Sequence, residues 1–160
     1  ELSYSVFNGM SAASALSTMW SDPSVCLKGE SAIKCELRMH RPAFVFVNLG
    51  TNWDVSSDSE VFASYFDEIV ITIMESGAVP ILMTKTDNVE GDWSLNAIVA
   101  RTASKFDVPF YNAWKTVQHL PNHGLDTNRK NIYMTTDAWP YRSRGALEML
   151  DFLGRSLDLY

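Results

Sequence analysis

Hydrophobic and polar positions alternate along this chain in two periods. Short apolar runs bounded by Gly or Pro read as strands. Stripes at three- and four-residue spacing read as helices. Ser3 to Phe7 (SYSVF) is the first strand-like run and closes at Asn8-Gly9. From Ser11 to Trp20, Ala12, Ala13, Leu16, Met19 and Trp20 fall on one helical face, with Ser11 as cap and Asp22-Pro23 as stop. Residues 21–41 read as a loop that holds both cysteines. Ala43 to Leu49 (AFVFVNL) is nearly continuous in apolar residues and lies between Pro42 and Gly50. Such a run fits a strand covered on both faces.

Ser57 and Glu60 have capping-box spacing ahead of a stripe of Phe62, Phe66, Ile69, Val70 and Ile73 that ends near Gly77. Ala78 to Thr84 (AVPILMT) is the next buried strand. Asp92 caps a helix with Leu95, Ile98, Val99, Thr102 and Phe106 inward, and Val108 to Tyr111 (VPFY) follows as a strand. Residues 115–142, with Pro121, Gly124 and Pro140, read as irregular. Ser143 opens a last helix with Leu147, Leu150, Leu153 and Leu157 inward.

The order β-α-β-α-β-α-β-loop-α predicts one α/β domain over residues 1–160, a parallel sheet with helices on both faces. Working groups in such sheets sit beyond the carboxyl ends of the strands. Those ends are Asn8-Gly9, Gly50-Thr51-Asn52, Thr84-Lys85-Thr86-Asp87 and Asn112-Ala113-Trp114.

Composition narrows the function classes. The chain has 160 residues, 46% hydrophobic and 20% charged, which excludes a disordered or fibrous protein. Thirteen Lys and Arg against nineteen Asp and Glu give a net charge of −6, which argues against nucleic acid as a partner. No apolar run approaches the ~20 residues of a membrane span, and no signal-peptide pattern opens the chain. Eight residues separate Cys26 from Cys35, a spacing that suits a local disulfide and not a zinc site. A disulfide implies a secreted, periplasmic or cell-surface location, and the alternative is a pair of reduced thiols in a cytosolic loop. The methionines are scattered as core filler. Asp54, Asp58 and Glu60 lack EF-hand spacing, so no metal and no cofactor is expected.

The strongest local signal is Leu49-Gly50-Thr51-Asn52-Trp53-Asp54 directly after a buried strand. Gly permits a sharp turn and close backbone approach. Asn52 there either presents its amide to a developing oxyanion or bonds its own backbone in an Asx-turn. Trp93, Trp114 and Trp139 fall near strand ends, where a Trp serves either loop packing or a carbohydrate platform. Arg142 and Arg144 flank a helix start, and one of them is expected to bond a carboxylate such as Asp137 or the loop backbone.

Asn8-Gly9 after a first strand, Gly50-Thr51-Asn52 after a buried second one, two further βα units and a terminal helix resemble the SGNH (GDSL-type) hydrolases. Cys26…Gly29-Glu30-Ser31…Cys35-Glu36-Leu37-Arg38 and Leu120-Pro121-Asn122-His123-Gly124-Leu125 are similar to a secreted bacterial subgroup of that family. The resemblance implies a flavodoxin-like three-layer α/β/α fold. It also implies an oxyanion hole from Gly9 and Asn52. Trp53 stands between Asn52 and Asp54, one residue away from the family's usual Gly-Thr-Asn-Asp.

Two departures outweigh the match. No Gly-Asp-Ser, the family's nucleophile turn, occurs in the chain. The sequence begins at the family's second strand, so a central strand, the first, is expected from upstream of Glu1 or from another chain, because buried unpaired strand edges are costly. Where the family has Asp-x-x-His, this chain has Lys130-Asn131-Ile132-Tyr133. Lys cannot orient a base as a carboxylate does, and a Tyr with pKa ~10 is a poor base. His119 or His123, with Asp126 or Asp137 as orienter, are the substitutes within reach of the correct end. His40 lies at the other end.

The expectation is therefore a catalytically degenerate SGNH-like domain acting as an extracellular binding or structural subunit. Its partners would be another chain or an upstream segment completing the sheet, or a carbohydrate or ester ligand. The alternative is an active serine esterase of acyl or acetyl esters with its Ser upstream of Glu1. A flavodoxin-like ligand-binding domain is a third reading, although no Gly-rich phosphate loop is present.

Overall fold

Three short parallel strands carry the fold. The structure, a computed structural model, describes residues 3–5, 7–54, 56–129 and 132–159. Strands β1 (Phe44–Val47), β2 (Val79–Met83) and β3 (Phe110–Tyr111) lie in the order β1-β2-β3. Phe46 pairs with Ile81, and Met83 with Tyr111, all in parallel register. β2 is the central strand, and its Ile81 and Leu82 are wholly buried. β1 has no strand on its outer side among the described residues.

Strand alternation sorts the core into two layers. Val45, Val47 and Leu82 point to the face packed by α1 (Ala12–Leu16), α3 (Ser59–Glu75) and α4 (Ser94–Phe106). Phe44, Phe46, Ile81, Met83 and Tyr111 point to the opposite face. Ala146, Met149, Leu150 and Leu153 of α6 (Ala138–Ser156) pack there. The predicted stripes of α3 and α4 are the buried ones: Phe62, Phe66, Ile69, Val70 and Ile73 have no exposed surface, and Leu95, Ile98 and Val99 have almost none. Burying side chains of this size stabilises by ~1.5–3 kcal/mol each.

Several sequence expectations are corrected. Among the described residues of Ser3–Phe7 none lies in a strand, and Val6 lies outside them. The predicted helix over Ser11–Trp20 is broken at Ser17. α1 ends at Leu16, and the Ser17 hydroxyl caps a separate 3₁₀ turn over Thr18–Trp20 by accepting from the Met19 amide. The expected loop 21–41 contains α2 (Ala32–His40), which buries Ala32, Cys35 and Leu37. The Cys26–Cys35 disulfide is formed and ties α2 to the preceding turn. The α3 cap is Asp58, whose carboxylate accepts from the Glu60 amide, rather than Ser57.

Residues 115–142 are more ordered than expected. They hold most of α5 (Ala113–Val117), 3₁₀ turns at Pro121–Gly124 and Thr127–Arg129, and the start of α6 five residues before Ser143. Pro140 sits in the first turn of α6, where its missing N–H has no partner to lose. Leu150 and Leu153 pack on the sheet as predicted, whereas Leu147 is 67% exposed and Leu157 53% exposed.

Candidate functional site

The turn after β1 and the turn before α1 meet at the carboxyl end of the sheet. Gly50 has φ +137, a conformation side chains rarely adopt, and an added Cβ there would lie 3.2 Å from Lys85 Cδ. Gly9 has φ +88 and is exposed. The Asn52 amide Nδ2 donates to the Met10 carbonyl at 3.1 Å, so the two segments read as an oxyanion hole do come together. That bond occupies one of the two N–H groups of the amide. The side chain makes a tertiary bond and not an Asx-turn.

Behind this turn lies a buried charge cluster. Lys85 follows β2 directly. Its ammonium donates to Asp87 Oδ1 at 2.7 Å, to the Asp87 carbonyl at 2.9 Å and to Glu90 Oε2. The three side chains are 3%, 1% and 6% exposed. Thr51 Oγ1 donates to the other Asp87 oxygen at 2.6 Å, which links the exits of β1 and β2. Asn96 of α4 accepts from the Lys85 amide and donates to its carbonyl, fixing the backbone. Glu90 Oε1 is buried with no partner. One cation thus faces two carboxylates in a dry place, where each partner depends on the others. The sequence lists Thr84-Lys85-Thr86-Asp87 as a strand end but carries no sign of its burial. The only hint is three charged residues within six positions of an apolar strand.

Among the described residues His119 and His123 form no pair with a carboxylate. His119 is exposed and packs edge-on against Tyr141, with ring centroids 4.8 Å apart. His123 is exposed, in left-handed backbone at φ 53, and its Nδ1 lies 3.3 Å from the Gln118 carbonyl oxygen. Neither meets a carboxylate among the described residues. Asp126 accepts from the Asn128 amide, and Asp137 precedes α6 without a side-chain capping bond. His40 sits 3.0 Å from Glu36 on α2, close to the start of β1 and so at the opposite end of the sheet. Tyr133 is 44% exposed and lies under the Arg129 guanidinium, 3.8 Å from its ring centroid. Lys130 lies outside the described residues.

Of the remaining candidates, Trp93 and Trp114 are brought together edge to face at 5.1 Å. Trp139 instead lies beside Arg142, 5.2 Å from its guanidinium. Arg142 donates to Asn48 Oδ1 rather than to a carboxylate, and Arg144 pairs with Glu148 one helical turn on. Burial holds the Arg142 guanidinium below its usual basicity. Asp54 caps its own turn by accepting from the Ser56 amide and hydroxyl, which lowers its carboxyl pKa. Among the described residues no metal-ligating cluster forms at Asp54, Asp58 and Glu60. The one close grouping of ligand-type atoms is Cys26, Glu30 and Cys35, where both sulfurs are already spent on the disulfide. Among the described residues no helix is long and apolar enough to cross a membrane. Compared with known protein families and with curated proteins, the chain matches none.

Proposed function

We propose that this chain is an SGNH-hydrolase-like domain that has lost ester hydrolysis and serves outside the cell as a binding or structural subunit. The observation that carries the reading is the isolation of His119 and His123 from every carboxylate among the described residues. It is joined by Tyr133 at the position where the family's base is expected. A hydroxyl nucleophile without a base is weak, and loss of triad members lowers rates by a factor on the order of 10⁴–10⁶.

Three features support the ancestry in this reading. They are the parallel α/β core, the Gly50-Thr51-Asn52 turn at a strand end, and the contact of Asn52 with the segment that follows Gly9. An oxyanion-type turn kept without its proton-transfer pair is the pattern a retired hydrolase leaves. The Cys26–Cys35 disulfide supports an oxidising location. The open outer edge of β1 is where a strand from a partner chain would add.

The test is hydrolysis of p-nitrophenyl acetate by the protein and by His119→Ala and His123→Ala. The expected rate equals buffer background for all three. Turnover in the parent that disappears in either variant would overturn the proposal and establish an active esterase.

A further inference from the structure

Asn8 and Gly9 are the two central residues of a tight turn between Phe7 and Met10, and both are exposed. Gly9 takes the third place of the turn with φ +88, a conformation that favours glycine. One backbone bond closes the turn, the Met10 amide donating to the Phe7 carbonyl at 3.3 Å, which is long for such a bond. A Cβ built on Gly9 would meet nothing within 4 Å, so the space around the turn is open.

Two groups in this turn are untied. Among the described residues the Asn8 side chain has no hydrogen-bond partner and the Gly9 amide donates to no acceptor. The other asparagines show how selective that is. Asn48, Asn52, Asn88, Asn96, Asn112 and Asn122 all spend their side chains in hydrogen bonds. Asn128 is followed by Arg129, a bulky neighbour whose amide donates to the Asp126 carbonyl at 3.1 Å. Asn131 lies outside the described residues. Asn8 alone among the described asparagines combines a free side chain, a free N–H on the next residue, and glycine as that residue.

These are the requirements of one reaction. The side-chain amide carbon of an asparagine is electrophilic, and the backbone nitrogen of the next residue can close a five-membered ring on it. A tied amide or a bulky neighbour blocks the approach. Glycine, with no Cβ, lets the backbone turn into it freely.

We infer that Asn8 is a site of spontaneous deamidation, converted to isoaspartate and aspartate in the folded protein. The Gly9 nitrogen gives its proton to hydroxide and attacks Asn8 Cγ. The N–Cγ bond forms, the Cγ–Nδ2 bond breaks, and the leaving nitrogen takes a proton from water and departs as ammonia. Water then opens the cyclic imide. Opening at the former main-chain carbonyl leaves isoaspartate, and opening at Cγ leaves aspartate. Either product adds a carboxylate to a chain already at −6. Isoaspartate also lengthens the main chain by one methylene, two residues before the Met10 carbonyl that Asn52 Nδ2 holds at 3.1 Å. The extra methylene breaks the Phe7–Met10 turn and draws the Met10 carbonyl away from Asn52. The inference holds whether or not the chain hydrolyses esters.

The test is timed incubation of the folded protein at neutral pH, with the peptide acetyl-Ser-Val-Phe-Asn-Gly-Met-Ser-amide in the same solution as reference. Peptide mapping by mass spectrometry follows both, and electron-transfer fragmentation separates isoaspartate from aspartate. Asn8 should convert no more than about tenfold more slowly than the peptide, the worth of the one turn bond that must open. The rate should rise in proportion to hydroxide. Every other described asparagine should be intact when Asn8 is half converted. In ¹⁵N spectra the Asn52 side-chain amide should shift with the same time course, and Asn8→Gln should abolish both changes. A rate below that bound overturns the site, because conversion that waits for global unfolding is slower by a factor of at least ~10³. Equal or faster conversion of another described asparagine does so too. An Asn52 amide that stays in place while isoaspartate accumulates overturns the link to the turn after β1.

Discussion

Arg142 Nη2 donates to Asn48 Oδ1 at 2.9 Å, joining the first turns of α6 to the exit of β1 across 94 residues of sequence. Asn48 is engaged at its other end as well, since Nδ2 donates to the carbonyls of Met83 and Thr84 at the exit of β2. One amide therefore clamps two strand ends and one helix. Asn48→Ala removes all three bonds and leaves a half-buried guanidinium with no partner. It is expected to lower unfolding stability by ~2–4 kcal/mol in urea titrations. Arg142→Met keeps an apolar stem beside Trp139 and forfeits only one of the bonds, so its loss should be smaller, ~1–2 kcal/mol. A larger loss for Arg142→Met than for Asn48→Ala would mean that the clamp is not what holds α6 to the sheet.

Glu30 should make the disulfide region sensitive to acid. Both carboxylate oxygens take Arg38, through Nε at 2.8 Å and Nη2 at 2.9 Å, and Oε2 also accepts the Leu27 amide. The Arg38 hydrogen bonds, foremost, hold the Glu30 pKa below its ordinary 4.5. A depressed folded-state pKa means that the stabilisation is fully present above the unfolded value near 4.5. It is lost as the pH falls through the lowered folded value. Glu30→Gln should be less stable than the parent at pH 7, and the gap should close as the pH falls below 4.5 and through the lowered folded value. Asp22, Asp54 and Asp92 are lowered by the Ser side chains two residues on, and they add acid sensitivity of the same sign in both proteins. A gap that stays constant from pH 7 to pH 3 would exclude the carboxylate as its source.

Gly145 marks where α6 comes closest to the sheet. A Cβ there would lie 2.3 Å from the Tyr111 hydroxyl oxygen and 2.7 Å from its Cζ. That hydroxyl donates to the Arg142 carbonyl at 2.9 Å. Ala ordinarily favours a helix over Gly by about 1 kcal/mol. Here Gly145→Ala is expected to destabilise by ~1–3 kcal/mol, because the ring and the helix must move apart. In Tyr111→Phe the shortest clash is gone and the ring clash remains. The double variant should therefore lose less than the sum of the single losses, as a double-mutant cycle would show. A stabilising Gly145→Ala would mean that the interface is looser than these distances state.

What was legible in the sequence follows the physics of periodicity. The α3 and α4 stripes are long enough for the 3.6-residue repeat to stand out, and most of their buried residues are those the repeat names, with Thr72 and Ala103 buried besides and Phe106 only partly so. The three observed strands are short apolar runs in covered positions and read as such. α2 is hidden because apolar and polar residues alternate one by one along Ile33–His40 instead of forming a helical stripe, and a disulfide supplies part of its anchoring. α6 is misplaced because Pro140 reads as a breaker, although the first turn accepts it. Leu147 lies off the face formed by Ala146, Met149, Leu150 and Leu153, and Leu157 follows the end of the helix. The Asn52–Met10 contact and the Thr51–Asp87 bond join segments far apart in sequence, so no local spacing encodes them, and the Lys85, Asp87 and Glu90 pairing is local in sequence but its burial is not.

Lys85 gives the sharpest test of how the strand ends are held. Its ammonium has three donors, and each has an acceptor from the Asp87-to-Glu90 turn. Lys85→Met retains most of the volume yet leaves the carboxylates of Asp87 and Glu90 buried with no cation. Breaking a buried ion pair from one side typically costs ~3–5 kcal/mol. A protein stabilised by only ~5–15 kcal/mol would lose much of its margin. The cost arises from the uncompensated charge and not from missing packing. Asp87→Asn and Glu90→Gln added to Lys85→Met should therefore restore a substantial part of it, since neutral amides tolerate the dry site better than carboxylates. Urea unfolding of the single and triple variants decides the matter. A triple variant no more stable than Lys85→Met would show that Lys85 acts by shape at the Gly50 turn, where its Cδ takes the space beside the glycine, rather than by charge.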